Sequence, residues 1–431
     1  MTELAGALQN TFITNGPVRS DRTYDLTSPA TGKVIARVAN CTAEDARAAA
    51  DLAVSAFHKW RKLTAFERSD IIRRWFDLMI EHKDELGRLI ASEMGKPISE
   101  ATGEAVYAAN FAKFYAEEAI RIYGETVPAS HPNKRIHVIR QPVGPVYAIT
   151  PWNFPAAMIA RKAAPALAVG CPMVVKPASQ TPYSALAMAV LAERAGVPAG
   201  VLSVVTGSAS AIGGEMTSNP TVRKLTFTGS TEIGRKLMAQ CANDIKKLSL
   251  ELGGNAPFIV FDDADIDRAV EGAIASKFRN TGQTCVCANR IFVQAPVYDA
   301  FVERLAAAVG GLEVGNGFEE GVVQGPLIDM SAVEKVEEHI RDAVGKGARV
   351  VRGGARHALG GTFFEPTLIA DVTPEMKVMR EETFGPMAPV FRFETEEEAV
   401  RLANDTEFGL ASYFYSRDIG RIWRVGEALE Y

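Results

Sequence analysis

Cysteine is scarce in this 431-residue chain, and the few present are poorly arranged for structural duty. Cys41, Cys171, Cys241, Cys285 and Cys287 make an odd, scattered set, which excludes the paired framework of a small secreted domain. Cys285 and Cys287 could offer two soft ligands. No other cysteine and no histidine stands at finger spacing from them, so no metal site is expected. The histidines at 58, 82, 131, 137, 339 and 357 lie in none of the motifs below, whereas a thiol protease would want one as partner. No apolar run approaches the ~20 residues of a spanning helix. The opening Met1-Thr2-Glu3-Leu4-Ala5-Gly6 lacks the basic and apolar regions of a secretory leader. A formal charge of −5 argues against nucleic acid or an anionic membrane as main partner. What remains is a protein expected in the cytoplasm, with two or three domains and, at 47% hydrophobic residues, ample core.

Thr42-Ala43-Glu44-Asp45 reads as a capping box opening a helix through Ala56. Thr64-Ala65-Phe66-Glu67 opens a longer one, with Ile71, Trp75, Leu78, Met79, Leu86 and Ile90 along one stripe. A third helical pattern covers residues 100–123. Residues 126–141 alternate apolar with polar or basic side chains between prolines, predicting a strand pair or β arm that needs edge protection or a partner chain. Strands are then predicted at 146–150, 173–176, 201–205, 224–227 and 248–250, with helices between them at 156–169, 183–195, 209–218 and 231–242. That order is the mark of a doubly wound, Rossmann-type parallel sheet. A second α/β cycle begins after Gly254, with strands at 258–261, 291–294, 348–352 and 389–393 and helices at 266–278, 297–309, 332–346 and 395–404. The last residues, Val425 to Tyr431, read as the inside of an uncapped helix.

Chemistry concentrates in a few short stretches. Gly282-Gln283-Thr284-Cys285 suits a tight loop whose N–H groups face a thiolate or an oxyanion, although two buried structural cysteines would read the same way. Trp152-Asn153 between Pro151 and Phe154-Pro155, at a strand's carboxyl end, offers a rigid amide donor or simply a turn asparagine. Lys176-Pro177-Ala178-Ser179 sets a lysine within reach of a ribose or phosphate beside a small serine, unless the lysine is merely solvated. Phe227-Thr228-Gly229-Ser230 resembles a phosphate site at a helix start, though Ser230 could serve only as an N-cap. Glu251-Leu252-Gly253-Gly254 puts a carboxylate where a partly apolar cleft would raise its pKa, as a general base requires; a surface glutamate before a turn is the alternative.

Taken in order, and followed by Glu382-Thr383-Phe384-Gly385-Pro386, these motifs make the chain resemble the aldehyde dehydrogenase superfamily over its whole length. Within it the resemblance is to bacterial succinate-semialdehyde dehydrogenases of the NADP-preferring type. It implies a cofactor domain at 1–123 and 142–253, an oligomerisation arm at 124–141 and a catalytic domain at 254–431. It implies Cys285 as nucleophile, Glu251 as base and Asn153 as oxyanion donor. Lys176 and Glu382 would hold cofactor riboses, Trp152, Gly229 and Ser230 the pyrophosphate, and Phe384 the nicotinamide side. Ser179, where many NAD-using relatives carry glutamate, implies NADP, with NAD also possible. Arg161 and Arg279 would grip a distal carboxylate, and Cys287 would be a redox partner of Cys285. The resemblance further implies a homo-oligomer, dimer or tetramer, with a C-terminal segment beyond Tyr431. Glutarate semialdehyde or another short ω-carboxy aldehyde is the alternative substrate. A catalytically silent binding or structural protein on the same fold is the alternative class.

Overall fold

Strand β1 (Thr11–Ile13) pairs antiparallel with β2 (Pro17–Arg19), and β3 (Thr23–Thr27) with β4 (Val34–Ala39). The computed structural model describes residue 8, residues 11–14 and residues 16–431, so the opening hexapeptide lies outside the described residues. Packing divides the chain into two units, one of residues up to 27, 34–94 and 98–251, the other of residues 28–33, 95–97 and 252–431.

In the first unit, helix α1 (Ala43–Trp60) opens on the Thr42–Asp45 capping box. The Thr64–Glu67 box opens α2 (Ala65–Glu81). The long helix expected there breaks at His82 into α2 and α3 (Lys83–Met94). Met79 and Leu86 stay seven residues apart on the buried face, so the apolar period alone cannot register the break. Next, α4 (Ile98–Ala119) buries a face of alanines, including Ala101, Ala105, Ala108, Ala112 and Ala116. Small side chains let it lie against α2, α3 and α5 (Ala157–Ala168). Two buried indoles tie this layer down, Trp60 donating to the Leu167 carbonyl and Trp75 to that of Met188, both at 3.0 Å. Strands β5 (Glu125–Val127) and β6 (Ile136–Val138) form an exposed antiparallel hairpin carrying Val127, Ile136 and Val138.

The alternation after residue 143 is β7 (Val146–Ile149), α5, β8 (Met173–Lys176), α6 (Pro182–Arg194), β9 (Leu202–Val204), α7 (Ala209–Ser218), β10 (Lys224–Thr228), α8 (Thr231–Cys241) and β11 (Lys247–Glu251). The sheet order is β11-β10-β7-β8-β9-β1-β2, parallel from β11 to β9.

The second unit continues through β12 (Ala256–Val260), α9 (Ile266–Lys277), β13 (Ala288–Gln294), α10 (Tyr298–Gly310), α11 (Met330–Gly345), β14 (Arg349–Arg352), β15 (Thr367–Val372), α12 (Lys377–Arg380), β16 (Met387–Phe393), α13 (Glu396–Asn404), β17 (Tyr413–Tyr415) and α14 (Ile419–Ala428). Its sheet runs β14-β15-β16-β13-β12-β17. Strand period two sends Phe258 and Val260 into the core on one face and Ile259 with Phe261 into the core on the other. Both faces are thus covered, as a parallel sheet requires. Of the final stretch, Val425–Ala428 are helical as expected, but α14 ends at Ala428; beyond it the Glu430 N–H donates to Asn404 Oδ1, and the Tyr431 hydroxyl receives Arg290 Nη2 at 2.6 Å. Among the described residues, no helix is long and apolar enough to cross a membrane.

Candidate functional site

The first unit's chain runs from β7 outward to β8 and β9, then crosses back to place β10 and β11 on the opposite side of β7. Outside the carboxyl ends at such a reversal lies the crevice where open α/β sheets take ligands. Trp152 and Asn153 follow β7, Lys176 ends β8, and Gly229 and Ser230 follow β10. Ile149 is in register with both Lys176 and Phe227, so these three motifs converge on one edge of the sheet. The adjoining Thr150 and Thr228 hydroxyls are buried and meet no hydrogen-bond partner among the described residues.

Asn153 is 3% exposed and Lys176 only 4%, so a solvated surface lysine is ruled out. Burial pushes the Lys176 ammonium down to about 8. Its Nζ stands 3.5 Å from Ser179 Oγ, and the Tyr24 hydroxyl donates to the Ser179 carbonyl. Ser230 Oγ accepts the Ile233 N–H and caps α8, so the N-cap role is real. Glu251 lines a partly apolar cavity, as expected of it, but its side chain is exposed rather than enclosed there. Exposure alternates along the edge strand β11, and Glu251 falls in the exposed register. Its carbonyl receives the Gly229 N–H at 3.0 Å.

Glu251, Arg161, Lys162, Lys224, Thr226 and Ser249 contribute to the wall of a cavity of about 870 Å³. Arg161 Nη2 donates to the Tyr107 hydroxyl at 2.8 Å, and the guanidinium lies over the Phe111 ring at 4.9 Å. These contacts fix the fork while its buried Nε meets no acceptor among the described residues. The sequence motifs assign no role to Lys162. It is buried, donates to Thr226 Oγ1 at 3.1 Å, and is pushed down to about 8 by burial, against the opposing pull of Glu251. A lysine amid the alanines of α5 was the available signal.

In the second unit, the loops entering β12, β13 and β16 gather at the amino ends of adjacent parallel strands. Asn280, Thr281 and Gly282 are consecutive left-handed residues, with φ of 52°, 56° and 73°. For a β-branched threonine that conformation is strained, and its surroundings hold it there. Thr281 Oγ1 donates to the Gly325 carbonyl, and Gln283 Oε1 receives the Ile328 N–H. A side chain at Gly282 would strike the Gly385 carbonyl, and one at Gly254 the Cys285 carbonyl. Cys285 is the one cysteine of the five that is partly exposed.

Cys287 is fully buried; its thiol contacts Thr284 Oγ1 at 3.0 Å and the Gly282 carbonyl at 3.2 Å. The Gly254 N–H donates to Glu382 Oε1 at 3.2 Å, and burial lifts the Glu382 carboxyl to about 7. Phe384 also sits at positive φ, 54°. Exposed Arg279 lines a pocket of about 320 Å³ with Phe258, Thr284, Val286 and Tyr413. His339, in no motif, is buried with Nδ1 3.0 Å from Thr383 Oγ1 and Nε2 3.2 Å from Glu381, bracing the Glu382 loop. Fully buried Lys277 donates to Asn289 Oδ1 at 2.7 Å.

Residues 18–431 match the family model described as "Aldehyde dehydrogenase family". The chain is 64% identical over 425 residues to a glutarate-semialdehyde dehydrogenase of Pseudomonas aeruginosa, covering 98% of this chain and 88% of that protein. It is 64% identical over 407 residues to the NADP(+) succinate-semialdehyde dehydrogenase of Escherichia coli, covering 94% and 84%. The crystal structure of succinate-semialdehyde dehydrogenase from Burkholderia pseudomallei superposes with a TM-score of 0.98 at 61% identity, covering 99% of this chain and 89% of that one.

Proposed function

The chain belongs to the aldehyde dehydrogenase family, and on that premise we propose that it oxidises succinate semialdehyde to succinate with NADP, accepting glutarate semialdehyde as a longer analogue. The observation that carries the chemistry is Cys285, partly exposed beside a strained, buttressed turn while the other four cysteines are buried.

Three features of the first unit's crevice support this cofactor: a buried cation, a short serine 3.5 Å from it, and two hydroxyls at neighbouring strand ends that meet no partner among the described residues. Lys176 and Glu382 are assigned its riboses, Trp152, Gly229 and Ser230 its pyrophosphate, Ser179 the room for a 2′-phosphate, and Phe384 the nicotinamide side. Bound NADP supplies a hydride acceptor. The chain's own groups do the remainder. The Cys285 thiolate adds to the aldehyde carbon, converting C=O to an alkoxide, and the Asn153 amide with the Cys285 N–H stabilises that oxygen. Loss of hydride from the same carbon leaves a thioester. Glu251 takes a proton from water, whose oxygen displaces the thiolate to give the carboxylic acid. Arg161 and Arg279 hold the substrate's distal carboxylate. The apolar face of the β5–β6 hairpin supports a homo-oligomer, and the five free, scattered cysteines support a reducing, cytoplasmic compartment.

The test of substrate class compares succinate semialdehyde with butanal, equal in carbon number but uncharged. Arg279→Ala is expected to cost the charged substrate about tenfold more kcat/KM, roughly 1.4 kcal/mol, in line with one charge-assisted hydrogen bond. Arg161→Ala should show the same bias. Equal losses on both aldehydes would reduce these arginines to supports of the fold.

Cofactor choice gives a second test. Ser179→Glu places a carboxylate next to Lys176 and against a 2′-phosphate, so the kcat/KM ratio of NADP to NAD should fall at least about tenfold. In the parent enzyme, the KM for NADP should rise as pH passes about 8, where Lys176 gives up its proton, while the KM for NAD changes less. A ratio unmoved by Ser179→Glu would show that residue 179 is not near the phosphate.

A further inference from the structure

Helices α5 and α6 start without a cap from their own sequence. Ala156 is the N-cap of the first and offers no side-chain oxygen, while Thr181 at the second makes no capping bond. The neighbouring α7 and α8, by contrast, are capped locally by Ser208 and Ser230. Yet the loops before α5 and α6 carry Asn153 and the Lys176–Ser179 pair. A helix start with unsatisfied N–H groups would leave those loops loosely held.

Two buried carboxylates from the helical layer meet the need. Glu104 on α4 is 2% exposed, and its Oε1 accepts the N–H groups of Ala156 at 2.9 Å and Ala157 at 3.2 Å. Glu93 on α3 is 1% exposed; its Oε2 accepts the Tyr183 N–H at 2.8 Å, and its Oε1 the Ser184 N–H at 2.9 Å together with the Ser184 hydroxyl. Burying a carboxylate is costly and simple core packing does not ask for one. Burial indeed lifts the Glu93 carboxyl to about 8. Such a group is tolerated where it meets oriented N–H donors at the positive end of a helix.

We propose that Glu104 and Glu93 are positioning residues with separate charges: Glu104 sets the Asn153 loop for acyl chemistry, and Glu93 sets the Lys176–Ser179 loop for the cofactor. The geometry makes the division. Phe154, next to Asn153, already gives its carbonyl to the Met158 N–H, so anchoring Ala156 and Ala157 fixes the helix turn on which Asn153 borders. On the other side, Ala178 receives the Thr181 N–H, and the turn so closed runs directly into the residues that Glu93 holds. This inference rests on the roles assigned above to Asn153 and Lys176.

The experiment uses two readouts on the full chain. One is the NADP dissociation constant by fluorescence titration. The other, without cofactor, is the rate at which the cysteine is acylated by 4-nitrophenyl acetate, an activated ester that needs the thiolate and the oxyanion donor only. Glu104→Ala should slow acylation about tenfold and leave the dissociation constant within twofold. Glu93→Ala should weaken NADP about tenfold and leave acylation within twofold. Should either alanine variant fail to fold, Glu104→Asp and Glu93→Asp keep the carboxyl group while withdrawing it by one methylene, and each should show the same one-sided loss, about threefold. Variants that move both readouts together, or neither, overturn the proposal. Asn153→Ala and Lys176→Ala run alongside. If Asn153→Ala leaves acylation intact, or Lys176→Ala leaves NADP binding intact, the underlying site assignment fails instead.

Discussion

Cys285→Ala is expected to abolish aldehyde oxidation, by at least about four orders of magnitude, while NADP binds within twofold of the parent affinity. None of the other four cysteines can substitute as nucleophile. Cys41, Cys171 and Cys241 are buried, and burial pushes each of their thiols up, away from the thiolate form. Cys287, two residues away in sequence, has its thiol turned into the interior, against Thr284 Oγ1 and the Gly282 carbonyl. Cys287→Ala should therefore keep most of the activity. The same burial bears on the proposed redox partnership. The Cys287 N–H is tied to the Thr284 carbonyl in a tight turn, and a Cys285–Cys287 bridge would have to dismantle that turn as well as the thiol's own contacts. If the bridge forms, peroxide inactivation of the parent enzyme should be slow but reversible by a dithiol, and Cys287→Ala should remove the reversible part. Full activity in Cys285→Ala would remove the basis for the proposed mechanism.

Much of the architecture was open to reading because its signals are local. Residues 173–176 and 209–218 were delimited to the residue by apolar runs and turn signals, and the two Thr-led capping boxes open their helices as read. The βαβα order gives a doubly wound parallel sheet, and the observed reversal at β7 brings three motifs to one edge. What stayed hidden depends on residues distant in sequence. β17 is an edge strand of three half-buried residues, Tyr413 to Tyr415, and owes its place to pairing with β12. The caps of α5 and α6 come from some 50 and 90 residues upstream, so no window along the chain contains both partners. His339 braces the Glu382 loop from α11, a relation that no spacing rule encodes. Glu251 shows the converse error. Its motif was legible, but its exposure depends on β11 being the edge of the sheet, which only the strand order reveals.

Glu251→Gln should lower steady-state turnover by 10²–10⁴, the range general-base catalysis supplies, and the loss should fall on one step. Glutamine has the same shape and can keep a water in place, but it cannot take the water's proton. Acylation does not need that base once the thiolate is formed, so mixing enzyme, NADP and succinate semialdehyde should still release up to one equivalent of NADPH in a burst. The enzyme then stalls as a thioester, and intact mass measurement should find the acyl group on the tryptic peptide containing Cys285. Glu251 has a solvent-facing position at the end of β11, on a cavity wall shared with Lys162. Exposure supplies the water that hydrolysis consumes. The main chain keeps its own task, since the Gly229 N–H is held by the Glu251 carbonyl and not by its side chain, so the substitution should leave the NADP dissociation constant within twofold. A variant that turns over slowly without a burst and without added mass would move Glu251 from deacylation to thiolate formation. One that turns over normally would assign the base to another group.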